Sequence, residues 1–249
     1  MTSGMTDEPY IYAPDGASCD RLVVIGEEAA HLAKVLRAGA GFRFVAFNGN
    51  GRGWLAETTN VRAQRIEARL LEELASEPVP AVSLTVAVGI VKGARMDWAV
   101  EKAAELGARR FIPLLTRYST IQPGEGKLAR WRSIAVAAAK QSRRFSLMEV
   151  ASPCQLAEFI SAAKEMNTWI FDADDSAEPF YNKDTSQLSH NKLTVVIGPE
   201  GGFSDDERET MNRCSLTRIR LGSHPLRTET AVTVTLGLLK NLIVAREAV

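Results

Sequence analysis

Apolar residues follow two different patterns on either side of about residue 78. Before it the runs are short and broken by turn signals: YIYA, RLVVIG, FRFVAF, GWLAETTNV and QRIEARLLEEL. The Asn48-Gly49-Asn50-Gly51 run predicts a β-hairpin, because Asn and Gly tolerate the positive φ that tight turns require. GEEAAHLAKVLRAG reads as one short helix among these strands, with Gly39 as its stop. SEPVPAV, residues 76–82, predicts a linker, since Pro78 and Pro80 together disfavour both helix and central strand.

Beyond Pro80 strands and helices alternate. SLTVAVGIV is a buried-strand run, and ARMDWAVEKAAELG places Met96, Ala99, Val100, Ala103 and Leu106 at helical spacing before Gly107. FIPLL, a long helix from about Lys127 to Arg143, TWIFDA, LTVVIG, a helix opening at Ser204, RIRLG and a last helix from about Thr228 to Ala245 follow. Continuous apolar strands alternating with helices predict a largely parallel sheet covered on both faces. The expected organisation is a small β-rich domain over residues 1–78 and an α/β domain over 79–249.

Composition changes this picture little. The 249 residues, 45% hydrophobic and 24% charged, exclude a disordered or fibrous class. No stretch of about eighteen apolar residues is free of charge, which predicts no membrane span. The start lacks a basic stretch followed by an apolar one, so it reads as a cytoplasmic N-terminus. Cys19, Cys154 and Cys214 are too widely spaced for a zinc site or a disulfide framework, and no metal is expected. Charge matters more. Lys and Arg against Asp and Glu number 8 and 11 in residues 1–80, 12 and 5 in 81–150, and 10 and 14 in 151–249. The basic middle third attracts phosphates even in a neutral chain, because distant acids are screened beyond about 8 Å.

Two loops carry the candidate chemistry. VVIGPEGGFSDDE is a strand, a glycine-rich turn and a helix start with capping-box spacing between Ser204 and Glu207. Ligands bind at the carboxyl ends of strands in open α/β sheets, so this turn is the leading candidate for a ligand site. From Gly198 to Glu207 there are four carboxylates and no Lys or Arg. A phosphate about 8 Å from one carboxylate would lose roughly 2 kcal/mol at an effective dielectric of 20, against about 0.3–1 kcal/mol recovered at the helix end. The loop therefore suits a neutral or cationic ligand such as S-adenosylmethionine. The second loop, LGSHPLRTETA, also joins a strand to a helix; Thr228 or Thr230 can cap that helix, while Arg227 can contact an anion through its planar fork.

With both loops read, the chain resembles the 16S ribosomal RNA (uracil-N3)-methyltransferases of the SPOUT superfamily. The resemblance is carried in order by HLAKVLR (31–37), GNGRGWLAE (49–57), VKG and EKAAELG (91–107), PLLTRYS (113–119), KQSRR (140–144), VVIGPEGGFSDDE (195–207) and LGSHPLRTETA (221–231). Lys140, and the His224-Pro225 pair, depart from the residues usual in that family. The resemblance implies a PUA-like β-barrel followed by a SPOUT α/β domain with a deep trefoil knot, acting as a cytoplasmic homodimer on 16S ribosomal RNA or the assembled small subunit. It implies an S-adenosylmethionine site at Phe171, Ile197, Gly198, Pro199, Glu200, Gly201, Gly202, Leu221, Gly222, Leu226, Thr228 and Ala231.

Transfer to uracil N3 requires positioning and removal of the N3 proton. Arg227 is the candidate anion-stabilising or RNA-positioning group, and Glu229 the candidate base, its place near the positive end of the last helix being the structural alternative. RNA contacts are expected from Lys92, Arg95, Arg117, Arg143 and Arg144, with His31 and Arg37 in the barrel. The rival readings are ribose 2′-O-methylation on the same fold and an RNA-binding assembly factor without catalysis. A nicotinamide enzyme is disfavoured by the missing dinucleotide fingerprint.

Overall fold

The computed structural model describes residues 7–18, 20–119, 121–163, 166–183 and 191–247; Cys19 lies outside them. The chain divides into two compact units, one of Met1–Val79 with Ala139–Leu147 and one of Pro80–Ala138 with Met148–Val249.

The first unit contains β1 (Tyr10–Tyr12), β2 (Arg21–Ile25), α1 (Gly26–Ala30), β3 (Arg43–Phe47), β4 (Gly53–Arg62) and β5 (Arg65–Glu73). Its five strands lie in the order β1-β3-β4-β5-β2, all antiparallel except β1 on β3. Alternate residues from every strand, among them Ile11, Leu22, Phe44, Ala56 and Ile66, meet in one buried cluster that also takes Ala29 and Leu32 from the helix. The expected hairpin forms between β3 and β4, with Gly49 and Gly51 at φ 80° and 89° and Asn48 Oδ1 accepting from the amides of Asn50 and Arg52. The helical segment differs from expectation. It widens into a π-helical turn over His31–Val35 and is closed by Arg37 at φ 52°, not by Gly39, with Ala38 N donating to Leu32 O at 3.0 Å.

Residues 139–147 complete this unit. Lys140 Nζ pairs with Glu28 at 2.9 Å, Arg144 pairs with Glu77 at 2.6 Å, and the amides of Phe145 and Ser146 donate to the same Glu77 carboxylate. The Phe145 ring fills the space over Gly53, where a Cβ would come within 2.6 Å of it. The lysine that departs from the resembled family thus has a local acidic partner in Glu28.

The second unit contains β6 (Ser83–Gly89), α2 (Ala94–Glu105), β7 (Arg110–Leu115), α3 (Glu125–Gln141, whose last residues belong to the first unit), β8 (Glu149–Val150), β9 (Cys154–Gln155), α4 (Leu156–Ala163), β10 (Thr168–Phe171), β11 (Glu178–Pro179), β12 (Lys192–Ile197), α5 (Asp205–Arg213), β13 (Thr217–Arg220) and α6 (Thr228–Glu247). The sheet order is β11-β13-β10-β12-β6-β7-β8, with β9 also on β7, and every pairing is parallel. One face packs Ala87, Leu114, Ile170 and Val196 against Leu156 and Ile160 of α4 and Met211 of α5. On α2 the expected core positions Met96, Ala99, Val100 and Ala103 are buried, while Leu106, at the helix end, is half-buried; α2 packs against α6, which also contacts β6 and β12. The helix α4 is absent from the sequence reading.

Chain order and space order diverge. β12 lies between β6 and β10, β13 lies on the far side of β10, and the chain then returns as α6 to β6, β12 and α2. Over Thr228–Ala245 α6 is long and apolar enough to cross a membrane by length and composition. It nevertheless carries Glu229 within the protein and buries Val232, Leu236 and Leu239 completely, as a core helix does.

Candidate functional site

The glycine-rich turn forms where three neighbouring parallel strands end. Gly89, the last residue of β6, lies so close to the turn that a Cβ there would meet Pro199 Cδ at 2.4 Å and Pro199 N at 2.5 Å. Only glycine permits this approach of strand to loop. The turn is closed by Gly202 N donating to Pro199 O at 2.9 Å, with Gly202 at φ 68°. Ser204 then caps α5, and the capping box expected from the sequence is complete: Glu207 N donates to Ser204 Oγ at 3.3 Å, and Ser204 N donates to Glu207 Oε2 at 2.8 Å. The other oxygen of Glu207 accepts from Arg117 N at 2.8 Å, tying the loop after β7 to the same helix start.

The second loop closes over the first. Thr228 does not cap α6 through its side chain; its hydroxyl donates instead to the carbonyl of Gly198 at 3.0 Å. Between the loops lies a cleft whose walls are Phe171, Ile197, Ile219, Leu221, Leu226 and Phe203, with the backbone of Gly198, Pro199, Gly202 and Gly222. Every expected cofactor residue lines it except Gly201, whose open side is taken by Tyr118. Ala173 lines it as well, with no signal in the sequence beyond its neighbours, and so do His224 and Pro225, the pair that departs from the resembled family.

The electrostatics of the loop differ from the sequence expectation. Glu200 is ion-paired with Arg95 of α2, so Arg95 serves this loop; Asp205 lies 3.5 Å from Arg208. The strongest feature is Asp172, at the carboxyl end of β10, which lines the cleft with a side chain only 1% exposed. It accepts from Arg208 Nε at 2.8 Å and Nη2 at 3.1 Å, and from Arg218 Nη1 at 3.2 Å. This bidentate pairing raises the Arg208 guanidinium above its ordinary pKa. Arg208 Nη2 also sits 3.5 Å from where a Cβ on Gly202 would stand, so the pair braces the turn. The cleft is therefore much closer to neutral than its sequence suggests. Among the described residues no lysine or arginine belongs to its lining, so none of them offers a phosphate a cationic partner there.

The expected catalytic pair separates. Arg227 is exposed beside Leu226 and Thr228, which line the cleft. Glu229 is 6% exposed, lies on the buried stripe of α6 with Val232, Leu236 and Leu239, and is not part of the lining. Its Oε2 is buried without a hydrogen-bond partner among the described residues. Of the expected RNA contacts in the second unit, Lys92 and Arg117 are exposed. In the first unit Arg37 is exposed, His31 and Arg143 are partly so, and Arg144 is held by Glu77.

Residues 77–240 match the RNA methyltransferase domain family, and residues 24–71 match the RNA methyltransferase PUA domain. The chain is 31% identical over 227 residues to ribosomal RNA small subunit methyltransferase E of Mycobacterium bovis, covering 86% of this chain and 84% of that one. It is 29% identical over 217 residues to the protein of the same name from Synechocystis, covering 86% and 70%. A methyltransferase from Legionella pneumophila, solved in complex with the bound cofactor SAM, superposes with a TM-score of 0.87 at 27% identity, covering 95% of this chain and 98% of that one. The second unit is thus of the SPOUT type, and the chain belongs to the ribosomal RNA small subunit methyltransferase E family.

Proposed function

We propose that this protein transfers the methyl group of S-adenosylmethionine to N3 of a uridine in 16S ribosomal RNA. The observation that carries the reading is the cleft between the two glycine-punctuated loops, clasped by the Thr228–Gly198 hydrogen bond. Its apolar walls and open backbone suit an uncharged adenosine, and the lack of a lining Lys or Arg among the described residues disfavours nucleotide phosphates. The bound donor supplies an activated methyl group.

The chain's own residues do the rest. Phe171, Ile197, Leu221 and Leu226 exclude water from the cleft, and the two loops set the donor's position, the kind of effect worth about 7–11 kcal/mol in well-oriented reactions. Arg227, exposed beside the cleft-lining Leu226 and Thr228, is the cation that stabilises the deprotonated imide or positions the RNA. Glu229 is retained as proton acceptor because its Oε2 is buried and unpartnered among the described residues. RNA is drawn by Lys92 and Arg117 in the second unit and by His31, Arg37 and Arg143 in the first. Arg37 and Arg143 support this: both sit at φ above 50°, where helix ends favour glycine, so the side chain is kept against the backbone's preference.

A homodimer fits the exposed apolar residues Val234, Leu238 and Val244 along α6, and a cytoplasmic location fits a small-subunit RNA substrate. Nucleoside mass spectrometry of small-subunit RNA incubated with the protein and S-adenosylmethionine tests the activity. Methyl on uracil N3 supports it, and methyl on the ribose replaces it with the rival chemistry. Arg227→Ala and Glu229→Gln with near wild-type turnover would remove those two roles.

A further inference from the structure

Tyr118 is nearly half exposed, yet it is held in place from several sides. The turn carrying it is closed by Ser119 N donating to Thr116 O at 3.1 Å and by Thr116 N donating to Ser119 Oγ at 2.9 Å, and Ser119 Oγ reaches back to Leu114 O at 3.2 Å. Arg117 N is fixed by Glu207 at 2.8 Å. The side chain lies against the glycine turn: a Cβ on Gly201 would stand 3.1 Å from Tyr118 Cβ and 3.2 Å from Cγ, which explains why Gly201 faces Tyr118 and not the cleft. With 48% of the residue still exposed, the ring is preorganised but uncovered.

Two exposed cations stand on its own loop and on the neighbouring one. β12, β6 and β7 are neighbours in the sheet and end on one edge, so the loops bearing Glu200, Lys92 and Tyr118 emerge side by side. Lys92 and Arg117 are exposed and their side chains have no acidic partner among the described residues, while Glu200 is neutralised by Arg95. A rigid aromatic face flanked by unpaired cations is the arrangement that holds a nucleobase by stacking and its phosphates by charge.

We propose that Tyr118 is a stacking platform for an unpaired RNA base beside the methyl-donor cleft, a role that rests on the function proposed above. The ring orders the strand next to the reacting uridine, while Lys92 and Arg117 take its backbone.

The test compares Tyr118→Leu, which refills the space over Gly201 without a π face, with Tyr118→Phe, which keeps the face. KM and kcat are measured with small-subunit ribosomal RNA, and donor affinity by calorimetry with S-adenosylmethionine. The expected result is an RNA KM raised about tenfold in the leucine variant and restored in the phenylalanine variant, with donor affinity equal in all three proteins. A leucine variant that binds RNA as well as the phenylalanine variant overturns the proposal. So does a loss of donor affinity that tracks the loss of RNA binding. If the wild-type protein transfers no methyl, the proposed function fails on its own, and the same comparison made on RNA dissociation constants still decides the role of Tyr118.

Discussion

The hydroxyl of Thr228, on the first turn of α6, donates to the carbonyl of Gly198 at 3.0 Å and so joins the two loops that wall the cleft. Thr228→Val keeps the shape and removes the donor, leaving that carbonyl without it at a cost of about 1–3 kcal/mol. Weaker S-adenosylmethionine binding, by about tenfold, is expected in calorimetric titration, together with a lower urea midpoint.

Gly89 tests the close approach of strand to loop. In Gly89→Ala the new methyl overlaps Pro199, so the glycine turn must move. Overpacking of this kind costs about 1–3 kcal/mol. Donor affinity is expected to fall more than in Thr228→Val, while circular dichroism reports an intact α/β fold.

Asp172 holds two guanidinium groups from a position 1% exposed, so Asp172→Asn leaves both facing a neutral amide. Removing one member of such a buried set costs about 3–5 kcal/mol. Denaturant unfolding should register that loss, and donor affinity should fall with it because Arg208 no longer braces the turn at Gly202.

Asp174 gives a pH signature. Hydrogen bonds from the hydroxyl and amide of Ser176, aided by Arg208 and Arg218, hold its carboxyl below the usual range. A depressed folded pKa contributes stability above the unfolded value of about 3.9 and loses it as the pH falls through the folded value. Asp174→Asn should therefore be the less stable protein at pH 7, with the gap to wild type closing below about pH 4 in acid titrations followed by fluorescence.

Arg143 and Arg144 should separate. Arg144 is pinned to Glu77, so Arg144→Ala is expected to lower thermal stability, whereas Arg143 has no acidic partner among the described residues. Arg143→Ala should weaken RNA binding and reduce its dependence on log salt by up to about one unit of slope, with melting temperature little changed.

The loops were legible in the sequence because their determinants are local. A capping box joins Ser204 to Glu207 three residues on, and glycines punctuate the strand ends, so the two loops were legible without a structure; the cofactor residues came from the resemblance, and Asp172, Phe203 and Ile219, which also line the cleft, were not singled out. Pairings between distant segments were not. Arg208 stands one residue past the acidic stretch and folds back onto Asp172, and Arg95 reaches Glu200 from another helix, so the two carboxylates that line the cleft are both paired in space. The end of the first helix was misplaced because a π-turn moved the left-handed position onto Arg37. The helix α4 was missed because it is only eight residues long and starts directly after β9, with no loop between them to announce it.

The return of residues 139–147 to the first unit has a practical consequence for dissecting the protein. A fragment ending at Val79 would lose the ring that plugs the notch at Gly53, the ammonium that answers Glu28 and the three donors gathered by Glu77. A free-standing version of that unit would need the nine-residue tail grafted back through an artificial link. The break at the proline-rich connector is thus a poor guide to where the chain can be severed.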